Sequence, residues 1–503
     1  MKKLMLIFMS MLLMITPALA QEEVEATTPA SKVEPTPAPA KNYDAEIEAL
    51  QKQIAEMKAE MKKPAPAPVE KKAAPVAKKD GDFVAKVGNY IKFYGRARLD
   101  YAFESSRTAS GATWAFWVLR NSSGTVNGRT FDDNNDYESN ISARNSRFGF
   151  KLKAIEITTI KAKLSGRFEL DFNGGDTSTA TWKALPRMRI AALTLDWGWF
   201  AIMGGNHWDT FSSHVHSGGD SNTANALIGS VGFRRPQLRF SFKPLIADKH
   251  RIWVEAAIAR PFDIINADYD GDGNNDGEDS AIPMLQGRVA YEAALWNKTK
   301  FMIGVGGHWQ RASLNNPKQW LDDQGDVLIS KDSFDSWHVD VEMMLPILDN
   351  LHLRGEFFYG QMMADIMGGV FQDVNPTSLE EIKSMGGWVD LTYKPFKLWT
   401  IIAGYSIDKP DEDSLEIRDD VYSMVDGVLT KNNSAANLEK FRYENSSIYL
   451  TNRFNFGSGF ATEVTYMYLK TKYRVSKSAT ELLDPIGVEA ISHRALFNIS
   501  YNF

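Results

Sequence analysis

The chain predicts an all-β fold: an antiparallel transmembrane β-barrel of about sixteen strands, preceded by an N-terminal coiled-coil helix and Pro-rich linkers. Three observations carry that expectation. From Tyr90 onward, segments near ~10 residues long alternate apolar and polar side chains, the length and period of a tilted membrane strand. The connections between them alternate short and long. The chain ends on Ala495-Leu-Phe-Asn-Ile-Ser-Tyr-Asn-Phe503, where Ala495, Phe497, Ile499, Tyr501 and Phe503 share one face.

The N-terminal elements come first. Lys2 and Lys3 precede the apolar run Leu4 to Ile15, and Thr16-Pro-Ala-Leu-Ala20 offers small residues for cleavage. Residues 1–20 read as a secretory signal peptide, too short to span a bilayer. Residues 21–40, rich in Pro, Ala, Thr and Glu, read as a disordered linker. Within 41–63, Tyr43, Ile47, Leu50, Ile54, Met57 and Met61 fall at alternating four- and three-residue spacings. That is a short coiled-coil heptad, with a single solvated helix as the alternative. The Pro-, Ala- and Lys-rich stretch 64–86 is a spacer whose lysines either touch peptidoglycan and anionic lipid or stay solvated.

The barrel then occupies 87–503. Phe93, Gly95, Ala97, Leu99 and Tyr101 alternate with Tyr94, Arg96, Arg98 and Asp100. Leu164, Gly166, Phe168 and Leu170 alternate with Arg167, Glu169 and Asp171; Leu351, Leu353, Gly355 and Phe357 alternate with His352, Arg354, Glu356 and Phe358. Strands are expected to start near 90, 141, 160, 187, 197, 234, 251, 284, 299, 335, 351, 384, 398, 443, 460 and 493. Short turns fall at 155–159, 243–250, 346–350, 394–397 and 455–459. Long loops fall at 104–140, 206–233, 261–283, 311–334, 361–383, 409–442 and 474–492. A soluble sandwich has no reason to sort its loops this way, and an even strand count puts both barrel ends on the periplasmic side. Tyr393, Trp399, Phe454, Phe460, Trp197, Trp199 and Trp296 flank short turns, as interfacial aromatic belts do.

Composition excludes several classes. No cysteine is present, so there are neither disulfides nor thiolate metal sites. A formal charge of −6 does not suit nucleic-acid binding. No Gly-x-Ser-x-Gly, His-Glu-x-x-His or phosphate-binding glycine loop is found, so no enzyme is expected and no cofactor is required.

Asn145-Ser-Arg-Phe-Gly-Phe-Lys151 resembles a strand common in Gram-negative porins, and Lys92-Phe-Tyr-Gly-Arg-Ala-Arg-Leu-Asp-Tyr101 resembles their opening strand. Gly204-Gly-Asn-His-Trp-Asp-Thr-Phe211 resembles the strand end leading into loop three in the DcaP-like branch, which also carries an N-terminal coiled coil. The resemblance covers about 90–503. The Pro-Glu-Phe-Gly sequence of enterobacterial general porins is absent. The likeness implies a trimeric sixteen-stranded channel in outer-membrane lipid, with loop three folded into the lumen. It further implies passive uptake of small anionic solutes such as dicarboxylates.

With apolar residues facing lipid, the inward set includes Arg96, Arg98, Arg147, Lys151, Arg167, Arg187, Arg189 and Arg239, together with Arg288 and Arg354. Asp100, Glu169, Asp171, Glu255, Asp340, Glu342, Glu356 and Asp390 also point inward. A basic wall opposed by carboxylates favours anions; the same pairs also serve as interior bracing. Loop three holds His207, Asp209, His214, His216 and Asp220, a transition-metal pattern or simply loop histidines. Loop four carries Asp268, Asp270, Asp272, Asp276 and Asp279 at positions 1, 3, 5, 9 and 12, with Gly273 at 6, the spacing of an EF-hand-type calcium loop. No amphipathic helices flank it, and position 12 is Asp rather than Glu; a solvated acidic loop is the alternative. The reading is a Gram-negative outer-membrane diffusion porin with a periplasmic coiled coil. A structural tether to the cell wall and a loop-based adhesin or receptor are the rivals.

Overall fold

The computed structural model describes residues 90–503 except loop segments 110–113, 120–122, 127–128, 133–135, 175–183, 212–225, 295–299, 426–427, 432–440 and 474–487 and residues 248, 266, 417 and 419. The signal peptide, linkers, coiled coil, Trp296, His214, His216 and Asp220 lie outside the described residues.

Sixteen long strands form one closed antiparallel barrel. They are β1 (Ile91–Glu104), β2 (Arg147–Ile157), β3 (Ala162–Gly174), β4 (Leu185–Asp196), β5 (Phe200–Trp208), β6 (Arg234–Phe242), β7 (His250–Ala259) and β8 (Met284–Ala293). There follow β9 (Phe301–Leu321), β10 (Val327–Leu348), β11 (Leu351–Gln361), β12 (Lys383–Phe396), β13 (Trp399–Pro410), β14 (Arg442–Gly457), β15 (Phe460–Tyr473) and β16 (Val488–Asn502). Short strands at Glu138–Ser142 and Leu245–Ala247 and a hairpin of Tyr422–Val425 with Val428–Lys431 extend the sheet. A further hairpin, Ser123–Val126 with Arg129–Asp132, pairs only with itself.

Closure brings β16 onto β1, with Arg96 opposite Asn502 and Glu104 opposite Arg494. Gly95 and Phe503 exchange both backbone hydrogen bonds at 3.1 Å. A Cβ on Gly95 would stand 2.4 Å from the Phe503 ring, so glycine lets the terminal aromatic lie flat across the seam. Alternation sorts the two barrel faces as its period dictates. Leu99, Phe148, Leu193, Val254, Val289, Val305, Val341, Phe357, Val389, Ile448 and Tyr501 remain exposed on the outside, an apolar belt suited to hydrocarbon. Near short turns, Trp399 stacks on Phe454 at 6.1 Å and Trp199 meets Phe242 edge-on at 5.6 Å.

Two expectations are corrected. Residues 311–334 are largely not a loop: β9 and β10 run on to Leu321 and from Val327, joined by a turn at Asp322 to Asp326. Where neither face has to be apolar, pairing continues while alternation fades. The segment expected to start near 141 is broken into Glu138–Ser142 and β2, separated by a turn in which Ser146 N–H donates to Ala143 O at 3.0 Å.

The lumen is occupied unevenly. Ala115 and Val118 of the first loop, Leu227, Ile228 and Val231 of the third, and Met362, Met363, Ile366 and Val370 of the sixth are all buried. The third loop enters as the resemblance implied. Its Gly229 is pressed against the Gly387 and Ile407 carbonyls, where a Cβ would come within 2.3 and 2.7 Å, and it adopts φ +112°. The sixth loop, unforeseen from sequence, packs beside it: Leu227 N–H donates to Met367 O at 3.0 Å and Gly232 N–H to Ile366 O at 2.6 Å.

Candidate functional site: the basic wall of the lumen

The first four strands build one wall. β1 supplies Tyr94, Arg96, Arg98 and Asp100; β2 supplies Arg147 and Lys151; β3 supplies Arg167, Glu169 and Asp171; β4 supplies Arg187 and Arg189. Register aligns them: Arg96 faces Arg147, Lys151 faces Arg167, and Asp171 faces Arg187. The pairing shifts between Glu169 and Leu170 of β3, so one extra β4 residue, Arg189, enters the inward row. Such a bulge re-aims a side chain. It lets Arg189 reach both Glu169 and Asp171, each at 2.8 Å.

The charges do not cancel. Arg98 pairs with Asp100, Arg167 with Glu169 (each 2.6 Å) and Arg187 with Asp171 (2.7 Å). Arg147 approaches Glu169 no closer than 3.8 Å. Among the described residues Arg96 donates only to the Asn145 backbone carbonyl, at 3.4 Å, and Lys151 sits 5.1 Å over the Tyr94 ring. Among the described residues, the Nε atoms of Arg96 and Arg147 have no hydrogen-bond partner. The seven cations Arg96, Arg98, Arg147, Lys151, Arg167, Arg187 and Arg189 thus face three carboxylates, Asp100, Glu169 and Asp171, a surplus of four.

Two residues not singled out from sequence brace this wall. Asn145 donates to Asp100 at 2.9 Å and accepts from Asn173 at 3.0 Å. Tyr94 accepts from Arg167 Nε at 2.7 Å and donates to Glu169 at 3.0 Å. Asn145 heads the motif that carries the family resemblance, which was the signal available for it. Aromatic rings border the wall: Arg187 lies 5.0 Å over Trp114, and Arg234 lies 4.7 Å over Trp208 and 4.3 Å over Phe233.

Arg239 does not join this group. It donates to Gln237 at 3.1 and 2.9 Å and lies 3.9 Å from Glu255. Glu255 in turn pairs with Arg288 at 3.0 Å, and Arg288 with Glu342 at 2.5 Å. Arg354 is similarly paired with Asp390 at 2.6 Å. These are charge-balanced chains on the strands against which the loops pack. The inward residues there are closed off: Asp340, Glu342, Phe358, Trp388 and Asp408 are all buried, whereas the side chains of Arg147 and Arg167 stay 30 % and 40 % exposed.

Arg235 was missed by sequence reasoning, although Arg234-Arg235-Pro236 at a strand start is a conspicuous pair. It is wholly buried and holds Asp209 of the third loop at 2.9 Å and Asp365 of the sixth at 2.5 Å. Asp365 also accepts from Ile264 N–H of the fourth loop at 2.9 Å. Asp209 is thus committed to bracing, and of the five loop-three residues only His207 and Asp209 are described.

In loop four, one carboxylate oxygen each from Asp268, Asp270, Asp272 and Asp276 lies within 4.8 Å of the others. Asp279 stands apart and accepts from Asn315 Nδ2 at 2.9 Å, as Asp272 does at 3.0 Å. A single helical turn, Asp276–Asp279, closes positions 9 to 12 of the loop. Burial, reinforced by Asp270, Asp268 and Asp272, pushes the Asp276 carboxyl up to about 6.

No family model matches the chain, and no curated protein does. Solved structures do match. The outer-membrane channel DcaP of Acinetobacter baumannii aligns at 15 % identity and TM-score 0.55, over 82 % of this chain and 97 % of that one. The likeness is one of fold. The anion-selective porin of Comamonas acidovorans aligns at 10 % identity and TM-score 0.48, over 82 % and 99 %. OprB of Pseudomonas putida aligns at 12 % identity and TM-score 0.47, over 84 % and 96 %. The DcaP channel shares the barrel expected from the strand pattern.

Proposed function

We propose that this chain is a homotrimeric porin of the Gram-negative outer membrane, passing small hydrophilic solutes by diffusion and favouring anions such as dicarboxylates. The observation that carries the reading is the surplus of cations over carboxylates among the named inward residues of β1 to β4. In a pore, selection follows diameter and lining charge. A dicarboxylate drawn along this wall meets Arg96, Arg147 and Lys151, whose charges are not spent on a close carboxylate. No covalent step or cofactor enters; the gradient drives transport. The barrel fold shared with the DcaP channel and the apolar outer belt support the membrane location.

The test is planar-bilayer recording of the purified protein across a KCl gradient. Conductance in triplets of steps and a reversal potential of anion-selective sign are expected. Cation selectivity overturns the anion preference while keeping the channel. Absence of conductance from folded protein overturns the porin reading.

A further inference from the structure

We propose that loop four is a calcium site, and that the bound ion fastens this loop against loop six above the lumen. The sequence places Asp268, Asp270, Asp272 and Asp276 at positions 1, 3, 5 and 9 of a twelve-residue loop. The fold brings their carboxylates together within 4.8 Å. Asp276 supplies a second, independent sign of a missing cation. Its side chain is fully buried, its Oδ2 accepts from Tyr269 N–H at 2.6 Å, and its Oδ1 has no hydrogen-bond partner. A buried carboxylate oxygen with no donor, set among three other carboxylates, is costly unless a cation meets it.

The loop is already shaped around that point. Asp268 accepts from Gly271 N–H at 2.7 Å and Gly273 N–H at 3.1 Å; Asp270 accepts from Asp272 N–H at 3.1 Å and Asn316 N–H at 2.8 Å. Gly271 and Gly273 take φ +80° and +89°, which tight turning demands of glycine. An all-oxygen donor set selects a hard cation. Calcium tolerates such an irregular ring, whereas magnesium requires near-ideal octahedral geometry. Asp279 at position 12 is held by Asn315 and does not complete the shell. Affinity is therefore expected in the weak extracellular class, about 10⁻⁴ to 10⁻³ M.

Tyr269 lies between the first two ligands. Its hydroxyl donates to Asp373 of loop six at 3.0 Å, and its carbonyl accepts from Lys318 at 2.8 Å. Phe262 and Ala267 of loop four share an apolar cluster with Met362 of loop six. Fixing Asp268 and Asp270 on an ion thereby fixes the contact that holds loop six down.

The experiment is calorimetric titration of calcium chloride into the detergent-solubilised full chain, paired with hydrogen exchange over 362–382. The wild type should take up one calcium per chain, with exchange in loop six slowed. The variant D270N/D272N should lose both effects while keeping the heat-modifiable band of a folded barrel; D272N alone, at an exposed position, serves if the pair misfolds. Three results overturn the site: no saturable uptake up to ~10 mM, well above that affinity class; uptake unaltered in the variant; or equal displacement by magnesium. Calcium uptake with unchanged loop-six exchange overturns the coupling.

Discussion

Removing Arg96 and Arg147 together, as R96Q/R147Q, tests the basic wall most directly. Neither arginine has a close carboxylate partner, so neutralising them orphans no buried anion. The wall falls from seven cations against three carboxylates to five against three, halving the surplus. A monovalent anion about 6 Å from one such charge gains about 0.7 kcal/mol at the dielectric of water, by 332/(ε·r). Two lost charges then amount to about 1.4 kcal/mol, near a tenfold fall in the anion's attraction to the wall, with the cation's repulsion reduced by a similar amount. Narrow, partly dehydrated lumen strengthens the effect, and salt weakens it. The Debye length is ~10 Å at 0.1 M and only ~3 Å at 1 M. Reversal potentials therefore belong near 0.1 M KCl, with R354Q, taken from the balanced Arg354–Asp390 pair, as comparison. A double variant whose reversal potential matches wild type would refute the assignment of solute path to this wall.

Arg235→Met strands Asp209 and Asp365 without their shared cation, at a cost of about 3–5 kcal/mol for a broken buried pair. A lower unfolding temperature and larger, noisier single-channel conductance are expected, as loops three and six come loose. Gly95→Ala forces a Cβ to within 2.4 Å of the Phe503 ring and 2.8 Å of the Arg147 carbonyl. About 1–3 kcal/mol of overpacking is expected, read as a barrel that unfolds at lower temperature in heat-modifiability gels. Burial pushes the Asp373 carboxyl in loop six up to about 7, with Asp365 adding repulsion against the hydrogen bonds from Ala364 N–H and Tyr269. Because its folded value lies above the ordinary carboxyl range, its stabilising share is complete below that range and is lost as pH rises through about 7. Protection from hydrogen exchange in 362–382, corrected for the intrinsic base-catalysed rate, should fall over that window in wild type and stay constant in Asp373→Asn.

The barrel was legible because lipid imposes a strict rule on every crossing segment. Strand starts at 234, 284, 351 and 460 coincide with the expected ones, since an apolar-out, polar-in alternation has one register. The basic wall was legible for the same reason: once lipid fixes which face is outward, Arg96, Arg147 and Arg167 have only the lumen left. What sequence did not disclose lies where lipid sets no rule. The β9–β10 hairpin rises beyond the membrane on polar residues such as Asn315, Lys318 and Gln319, which carry no periodicity. The loop-six plug is apolar, Met362-Met-Ala-Asp-Ile-Met367, yet nothing local says it folds inward rather than outward. That choice is made by Arg235, whose long-range partners no spacing rule connects.

The distribution of paired and unpaired charge inside the barrel itself reports where water runs. Where loops pack, Arg235 has Asp209 and Asp365, Arg288 has Glu342 and Arg354 has Asp390 as close acidic partners, while Arg239 stands 3.9 Å from Glu255. A buried ion without a partner costs several kcal/mol, which favours pairing at such positions. Along β1 to β4 that constraint is relaxed, and Arg96, Arg147 and Lys151 stand without a close carboxylate. In the proposed pore, solvent or a passing anion would supply the compensation that protein supplies elsewhere. The same reasoning makes Arg147→Glu a stricter test than neutralisation. The reversed charge meets Glu169 across the pair of strands, at a site where the arginine stood 3.8 Å away. Coulomb repulsion at ~4 Å is about 1 kcal/mol in water and about 4 kcal/mol at an effective dielectric of 20. If the wall is wet, the variant folds and its selectivity shifts toward cations; if the wall is dry, the barrel fails to assemble and the solute path must lie elsewhere.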